Sequence, residues 1–292
     1  MTFNDDAQIS GNRAKRRTGR GAAVGGGVGI IGVIAFFIIQ QLTGINPGDF
    51  IQPGAGPDPQ DSNVAACTGE DANNGNLDCR LAGTAEVLDI YWAKTLPEQG
   101  VEYVTPEFLL FTDAVDTGCG SATSASGPFY CPADQTVYID SAFYAELESR
   151  FGASGGSLSQ MYVLAHEWGH HVQNISGIME GLDLRTTGPA SDGVRLEVQA
   201  DCFAGAWVKA ASTIDDATGD PYLKPVTNAE ISDALSAAAA VGDDRIQEST
   251  QGEVSPETWT HGSSEQRQKW FLAGYDGGPN ACNTFEVSAG QL

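Results

Sequence analysis

Residues 164–173 read LAHEWGHHVQ and hold three of the four histidines in a chain of 292 residues. His166-Glu167-Trp168-Gly169-His170 is an HExxH. On an α-helix, positions i and i+4 share a face with β-carbons about 5–6 Å apart. Two imidazoles so placed can both reach one Zn²⁺ at about 2.0–2.1 Å. Glu167, one residue round the helix, is poorly placed to bind the same ion but can reach a water beside it as a general base. The flanks fit a buried helix over 157–175: Met161, Val163, Leu164 and Ala165 precede the motif, and Val172 and Ile175 follow it. Ser157 is the expected N-cap, with Gln160 three residues on as in a capping box. His171 points about 100° away from His170 and is read as a packing or supporting histidine.

A catalytic zinc needs a third protein ligand and an open position. Gln173 and Ser176 stand where an extended three-histidine pattern would need Gly and His, which excludes that arrangement. The next informative stretch is RLEVQADCFAGAWVKA, from Arg195, with Glu197 and Asp201 one helical turn apart. Glu197 is the expected third ligand. Asp201 is expected to accept the free N–H of a ligand histidine, fixing its tautomer. Leu196, Val198, Ala200, Phe203, Ala204 and Trp207 make this segment largely apolar, and a carboxylate inside such a helix needs a cation. His261, in TWTHGSSEQRQKW, precedes a helix start marked by Ser263 and Gln266. It is the expected catalytic partner of Glu167, folding over a cleft to donate to an oxyanion. A structural role for His261 is the alternative, and Tyr138 or Tyr162 could take the oxyanion role equally well.

Charge and cysteines set the surroundings. The net charge is −23, yet five of the 15 basic residues (Arg13, Lys15, Arg16, Arg17 and Arg20) fall in the first twenty positions. The acidic remainder argues against nucleic-acid binding. Residues 21–39 carry no charge, and with residues 40–42 they reach the roughly 20 residues of a bilayer-spanning helix. No small-residue cleavage site follows, so an uncleaved anchor is expected at 21–42, with a cytoplasmic N-terminus at 1–20. The rest would then be extracytoplasmic, in a single-pass cell-membrane protein. All six cysteines follow that segment, none in a CxxC spacing, so disulfides are expected. Proximity in sequence suggests Cys67–Cys79 and Cys119–Cys131, leaving Cys202–Cys282.

The Pro- and Gly-rich residues 43–63 read as a flexible tether, and 64–292 as one domain. A helix is expected from a Thr84 cap to Pro97, and a peripheral strand at EYVTPEFLLFT, where Pro106 would interrupt a ladder. GCGSATSASGPFYCP reads as a loop pinned by its cysteines, and residues 135–140 as a half-buried strand. Helical patterns follow at 142–151, 157–175, 191–213, 228–241 and 263–274. Strands first and helices after make an α+β domain.

HEWGH followed by the Glu197-to-Asp201 helix resembles the gluzincin branch of zinc metallopeptidases. The wider layout resembles the bacterial putative neutral zinc metallopeptidases: the basic N-terminus, the Gly-rich segment, VYID, LAHEWGHHVQ, RLEVQADCFAGAW and THGSSEQRQKWFLAGY. The resemblance spans nearly the whole chain and implies a zincin-like fold, an active-site helix under a small sheet. It implies a peptide or protein substrate, with strand 135–140 as the edge along which an extended substrate pairs, or else an ordinary interior strand. The expected function is a membrane-anchored, extracytoplasmic zinc endopeptidase. The alternative is a non-catalytic zincin-fold module holding a protein partner at the membrane.

Overall fold

The helix that carries HEWGH spans Ser157–Ile175 and is apolar on most of its circumference, so it lies inside the molecule rather than on it. In the computed structural model, which describes residues 1–18 and 60–292, this helix is the centre of an α+β architecture. The N-terminal part holds strands β1 (Gln8–Ile9), β2 (Lys15–Thr18), β3 (Gln60–Asn63) and β4 (Cys67–Thr68). Helices α1 (Gly69–Asn73) and α2 (Leu77–Glu98) follow, then β5 (Glu107–Phe111), β6 (Ala114–Thr117), β7 (Gly120–Thr123), β8 (Phe129–Cys131) and β9 (Thr136–Asp140). The remainder is helical: α3 (Phe143–Ser149), α4 (Ser157–Ile175), α5 (Asp192–Ala211), α6 (Asn228–Ala240), α7 (Asp243–Gln251) and α8 (Ser264–Gly277).

The main sheet runs β3-β2-β5-β9-β8, with β2, β5 and β9 parallel and the outer two strands antiparallel to their neighbours. Every residue of β9 is buried, because β9 is flanked by β5 and β8 and covered on both faces. It is therefore an interior strand, and among the described residues β8 forms that edge of the sheet. β5 is interior as well: Pro106 precedes its first paired residue, so no ladder hydrogen bond is lost. The segment read as a cysteine-pinned loop contains β7, half of a hairpin with β6, and β8. Disulfide Cys119–Cys131 joins the hairpin to β8, Cys67–Cys79 joins β4 to α2, and Cys202–Cys282 ties α5 to the C-terminal segment.

The basic N-terminal segment is part of this fold. Met1, Phe3, Ala7 and Ile9 are buried in the principal core. Lys15 and Arg17 pair with Glu107 at 2.6 Å and with Asp61 at 2.7 Å, and Arg13 and Arg16 pair with Asp89 and Asp78. Thr18 and Gln60 are register partners across β2 and β3, so the chain leaves and re-enters the sheet at one point. This corrects the expectation of a single-pass anchor with a cytoplasmic N-terminus and an extracytoplasmic domain. A helix crossing once would place its two ends on opposite sides of a membrane, whereas these ends are hydrogen-bonded neighbours. No helix among the described residues is long and apolar enough to cross a membrane. Residues 21–42, where the anchor was expected, and 43–59 of the expected tether lie outside the described residues.

Two helix starts also differ from expectation. The N-cap of α4 is Gly156 rather than Ser157, and a β-carbon at 156 would lie 2.1 Å from an Asp233 carboxylate oxygen. α2 begins at an Asn76 cap, and Thr84 sits inside it, its hydroxyl donating back to the Arg80 carbonyl at 2.7 Å. Ser263 and Gln266 do form a reciprocal capping box at the start of α8.

Three glycines set the distances between the helices that matter. At Gly169, inside HEWGH, a β-carbon would lie 3.0 Å from Ala200 Cα, so α4 and α5 approach closely there. α5 and α8 are closer still: a β-carbon at Gly205 would meet the Phe271 carbonyl at 2.0 Å, and one at Gly274 the Cys202 carbonyl at 1.8 Å. Backbone cannot yield as a side-chain tip does. Gly274→Ala is therefore expected to destabilise the fold by about 3 kcal/mol, lowering Tm by roughly 6–12 °C in thermal unfolding. An unchanged Tm would contradict this packing.

Candidate metal centre

The close approach of α4 and α5 brings His166, His170 and Glu197 together. His166 Nε2 lies 3.1 Å from His170 Nε2 and 3.3 Å from Glu197 Oε2, and His170 Nε2 lies 3.5 Å from Glu197 Oε1. Tetrahedral ligands at about 2.0–2.1 Å from one zinc ion are separated by roughly 3.3 Å. The two nitrogens and the carboxylate thus have a spacing and a donor set that could hold a zinc ion.

The other nitrogen of each imidazole is held from behind. His166 Nδ1 donates to Asp201 Oδ1 at 2.8 Å, and His170 Nδ1 to Gln173 Oε1 at 2.8 Å. Gln173 is itself oriented, its amide donating to the Leu196 carbonyl at 2.7 Å and to Gln199 Oε1 at 3.1 Å. Such bonds fix the tautomer that aims each Nε2 lone pair at the ion. Asp201 is fully buried and receives, besides His166, the Arg267 guanidinium at 2.8 and 3.0 Å and the Tyr162 hydroxyl. Arg267, on α8, is the cation this carboxylate requires. Burial raises the Asp201 carboxyl, but Arg267 and His166 outweigh that and hold it down at about 2.

Protonation inside the site is uneven. Burial lowers His166, yet Asp201 and Glu197 more than reverse this and push it up to about 9. Burial, helped by charge on His166, pushes His170 down to about 4 despite Glu197. The metal-free site therefore carries a proton on His166 at neutral pH. A metal ion must displace that proton, so zinc affinity should rise with pH up to about 9. Titrating Zn²⁺ into metal-free protein at pH 7, in buffers of different ionisation enthalpy, is expected to release at least about one proton per site. Uptake without proton release would contradict the protonation scheme.

Glu167 and His261 line the same cleft, of about 290 Å³, as the three donors. Glu167 is 7% exposed, and burial, opposed by His166 and assisted by the Glu197 charge, pushes it up to about 7. His261 is held by Asp243: His261 Nδ1 is 3.3 Å from Asp243 Oδ1 and 2.8 Å from the Thr260 hydroxyl. Asp243 Oδ2 also accepts the backbone N–H groups of Thr260, His261 and Gly262 at 2.7, 2.7 and 3.0 Å, which fixes the loop. Burial opposes the charged imidazole, but Glu197 and Asp243 raise its pKa, and Nε2 is the nitrogen left to the cleft.

Of the other candidates, Tyr162 lines the same cleft but its hydroxyl is taken, and Tyr138 and His171 lie outside it. The Tyr138 hydroxyl donates to Asp134 at 2.8 Å and belongs to a separate small core, and the Tyr162 hydroxyl is committed to Asp201. His171 is buried and neutral: burial pushes it down to about 4, and it bridges the Tyr130 hydroxyl at 3.0 Å and the Val104 carbonyl at 2.5 Å. Gln173, Asp243 and Arg267 are the members of the site that the sequence did not point to. Gln173 alone carries a local signal, three residues beyond His170 on the same helix face.

A helix presenting HExxH, a second helix supplying a glutamate, and an aspartate behind the first histidine together make a buried group that could hold a metal ion. The chain belongs to the family described as "putative neutral zinc metallopeptidase", whose model matches residues 3–285. It is 44% identical over 302 residues to uncharacterized protein Rv2575 of Mycobacterium tuberculosis (strain ATCC 25618 / H37Rv), covering 99% of both chains. It is 37% identical over 268 residues to uncharacterized protein YpfJ of Escherichia coli (strain K12), covering 89% of this chain and 85% of that one. No solved structure matches the chain.

Proposed function

We propose that the protein is a zinc-dependent endopeptidase, with His166, His170 and Glu197 as ligands, Glu167 as general base and acid, and His261 as the oxyanion donor. The observation that supports this most is the convergence of the three donors at tetrahedral spacing with Glu167 and His261 beside them in one cleft. Bound Zn²⁺ supplies Lewis acidity, polarising a carbonyl and lowering the pKa of water. Glu167 takes a proton from the attacking water onto its carboxylate. The water oxygen forms a bond to the scissile carbonyl carbon, and His261 Nε2–H donates to the oxygen on which negative charge develops. Glu167 then returns its proton to the leaving nitrogen as the C–N bond breaks. Asp243 orients His261, Asp201 with Arg267 orients His166, and Gln173 orients His170. A non-catalytic module would have no use for a buried carboxyl such as Glu167 pointed into the cleft. With the full chain and casein or quenched peptides, chelation is expected to abolish hydrolysis and one equivalent of Zn²⁺ to restore it. Chelator-resistant hydrolysis would overturn the zinc mechanism.

A further inference from the structure

We propose that the C-terminal segment locked to α5 by Cys202–Cys282 holds the His170 arm of the metal site in place, with Gln199 as the positioning residue between them, an inference that rests on the zinc-ligand reading above. The path is a line of hydrogen bonds. His170 Nδ1 donates to Gln173 Oε1 at 2.8 Å, Gln173 Nε2 to Gln199 Oε1 at 3.1 Å, and Gln199 Nε2 to the Cys282 carbonyl at 2.8 Å. Gln173 and Gln199 are both buried. The polarity of the line is set from its far end. A main-chain carbonyl can only accept, so Gln199 turns its nitrogen to Cys282 and its oxygen to Gln173. Gln173 then turns its nitrogen to Gln199 and to the Leu196 carbonyl, and its oxygen to His170. His170 therefore keeps its proton on Nδ1 and its Nε2 lone pair for the ion.

The Cys282 carbonyl is itself held by what ties its segment to α5. Cys282 is bonded to Cys202 through sulfur, and the Thr284 hydroxyl donates to the Arg195 carbonyl at 2.8 Å. The Arg195 guanidinium donates to the Val287 carbonyl at 3.0 Å and to the Thr284 carbonyl. Arg195, Gln199 and Cys202 share one face of α5 by the helical period. The segment thus runs back along the helix that carries Glu197. Without Gln199, one N–H of Gln173 would be buried unpaired, which costs free energy and loosens the amide that faces His170. His166 is supported by Asp201 and Arg267 instead, so the effect falls on one ligand.

The test measures zinc affinity of the full chain against a chromophoric chelator, together with the visible absorption of the Co²⁺-loaded protein. Gln199→Met keeps the volume and removes both bonds. Partners in direct contact with a ligand tune affinity roughly 10–100-fold, so one bond further out Gln199→Met is expected to weaken zinc about 3–10-fold and to shift the Co²⁺ bands. Cys202→Ala with Cys282→Ala should weaken zinc by a similar factor. Adding Gln199→Met to that pair should cost little more, because both act along one path. Cys67→Ala with Cys79→Ala removes a disulfide elsewhere and should lower Tm while leaving zinc affinity unchanged. Should the Cys202 and Cys282 variant fail to fold, Gln199→Met alone decides. Wild-type affinity and spectrum in Gln199→Met, additive losses, or an equal loss in the Cys67 and Cys79 variant would overturn the proposal and leave the ligand reading standing. A wild-type protein that binds no zinc would overturn both.

Discussion

Replacing Glu167 by Gln is expected to lower kcat for peptide hydrolysis by about 10²–10⁴ while leaving stoichiometric zinc in place. Glutamine keeps the volume and much of the hydrogen-bonding capacity but cannot accept the proton of the attacking water. Glu167 is not one of the three converging donors, so the metal should stay. The change also removes a carboxyl that burial opposes, so folding stability should not fall. Metal analysis and steady-state kinetics on one preparation separate the two effects. A variant with full zinc and wild-type kcat would exclude Glu167 as the base. A variant that lost its zinc would make it a ligand.

The second large effect is expected at Glu197. Glu197→Ala removes one of three ligands and leaves His166 and His170 facing each other across 3.1 Å. Zinc should fall well below one equivalent after dialysis against a weak chelator, and hydrolysis with it. Asp201→Asn leaves the three ligands in place but weakens both the support behind His166 and the pairing of the buried Arg267 guanidinium, and such outer partners typically tune metal affinity by roughly 10–100-fold. It should therefore bind zinc more weakly but still load in excess metal. If Asp201→Asn emptied the site while Glu197→Ala left it full, the roles of the two carboxylates would have to be exchanged.

The parts of this site that the sequence revealed are those carried by one helix. His166, Glu167 and His170 share a turn of α4, and Glu197 and Asp201 share a turn of α5, so helical period alone places each set on a face. Arg267 and Asp243 reach the site across 66 and 18 residues of chain, from Asp201 to α8 and from His261 to α7. Nothing local in SSEQRQKW marks Arg267 as the partner of a buried carboxylate; only the need of Asp201 for a cation hinted that one existed.

The N-terminus misled for an electrostatic reason. Lysine and arginines at 15–17 before an uncharged stretch match the flank of a membrane anchor, and they have the wrong composition for an inner strand. Glu107, Asp78 and Asp61 neutralise them from distant segments, and so β2 sits between β3 and β5. The assignment of the sheet edge failed similarly. The resemblance implied an edge strand at 135–140, with an interior strand as the alternative; strand order is a long-range property, and β8 lies outside β9.

The most direct test of the whole account is a crystal structure of the zinc-loaded protein with anomalous data across the zinc absorption edge. The arrangement of α4 and α5 predicts one peak bonded by His166 Nε2, His170 Nε2 and a Glu197 carboxylate oxygen, each at about 2.0–2.2 Å, with the remaining position open to the cleft. A peak located elsewhere, or one at this site with Glu197 outside bonding distance, would contradict it.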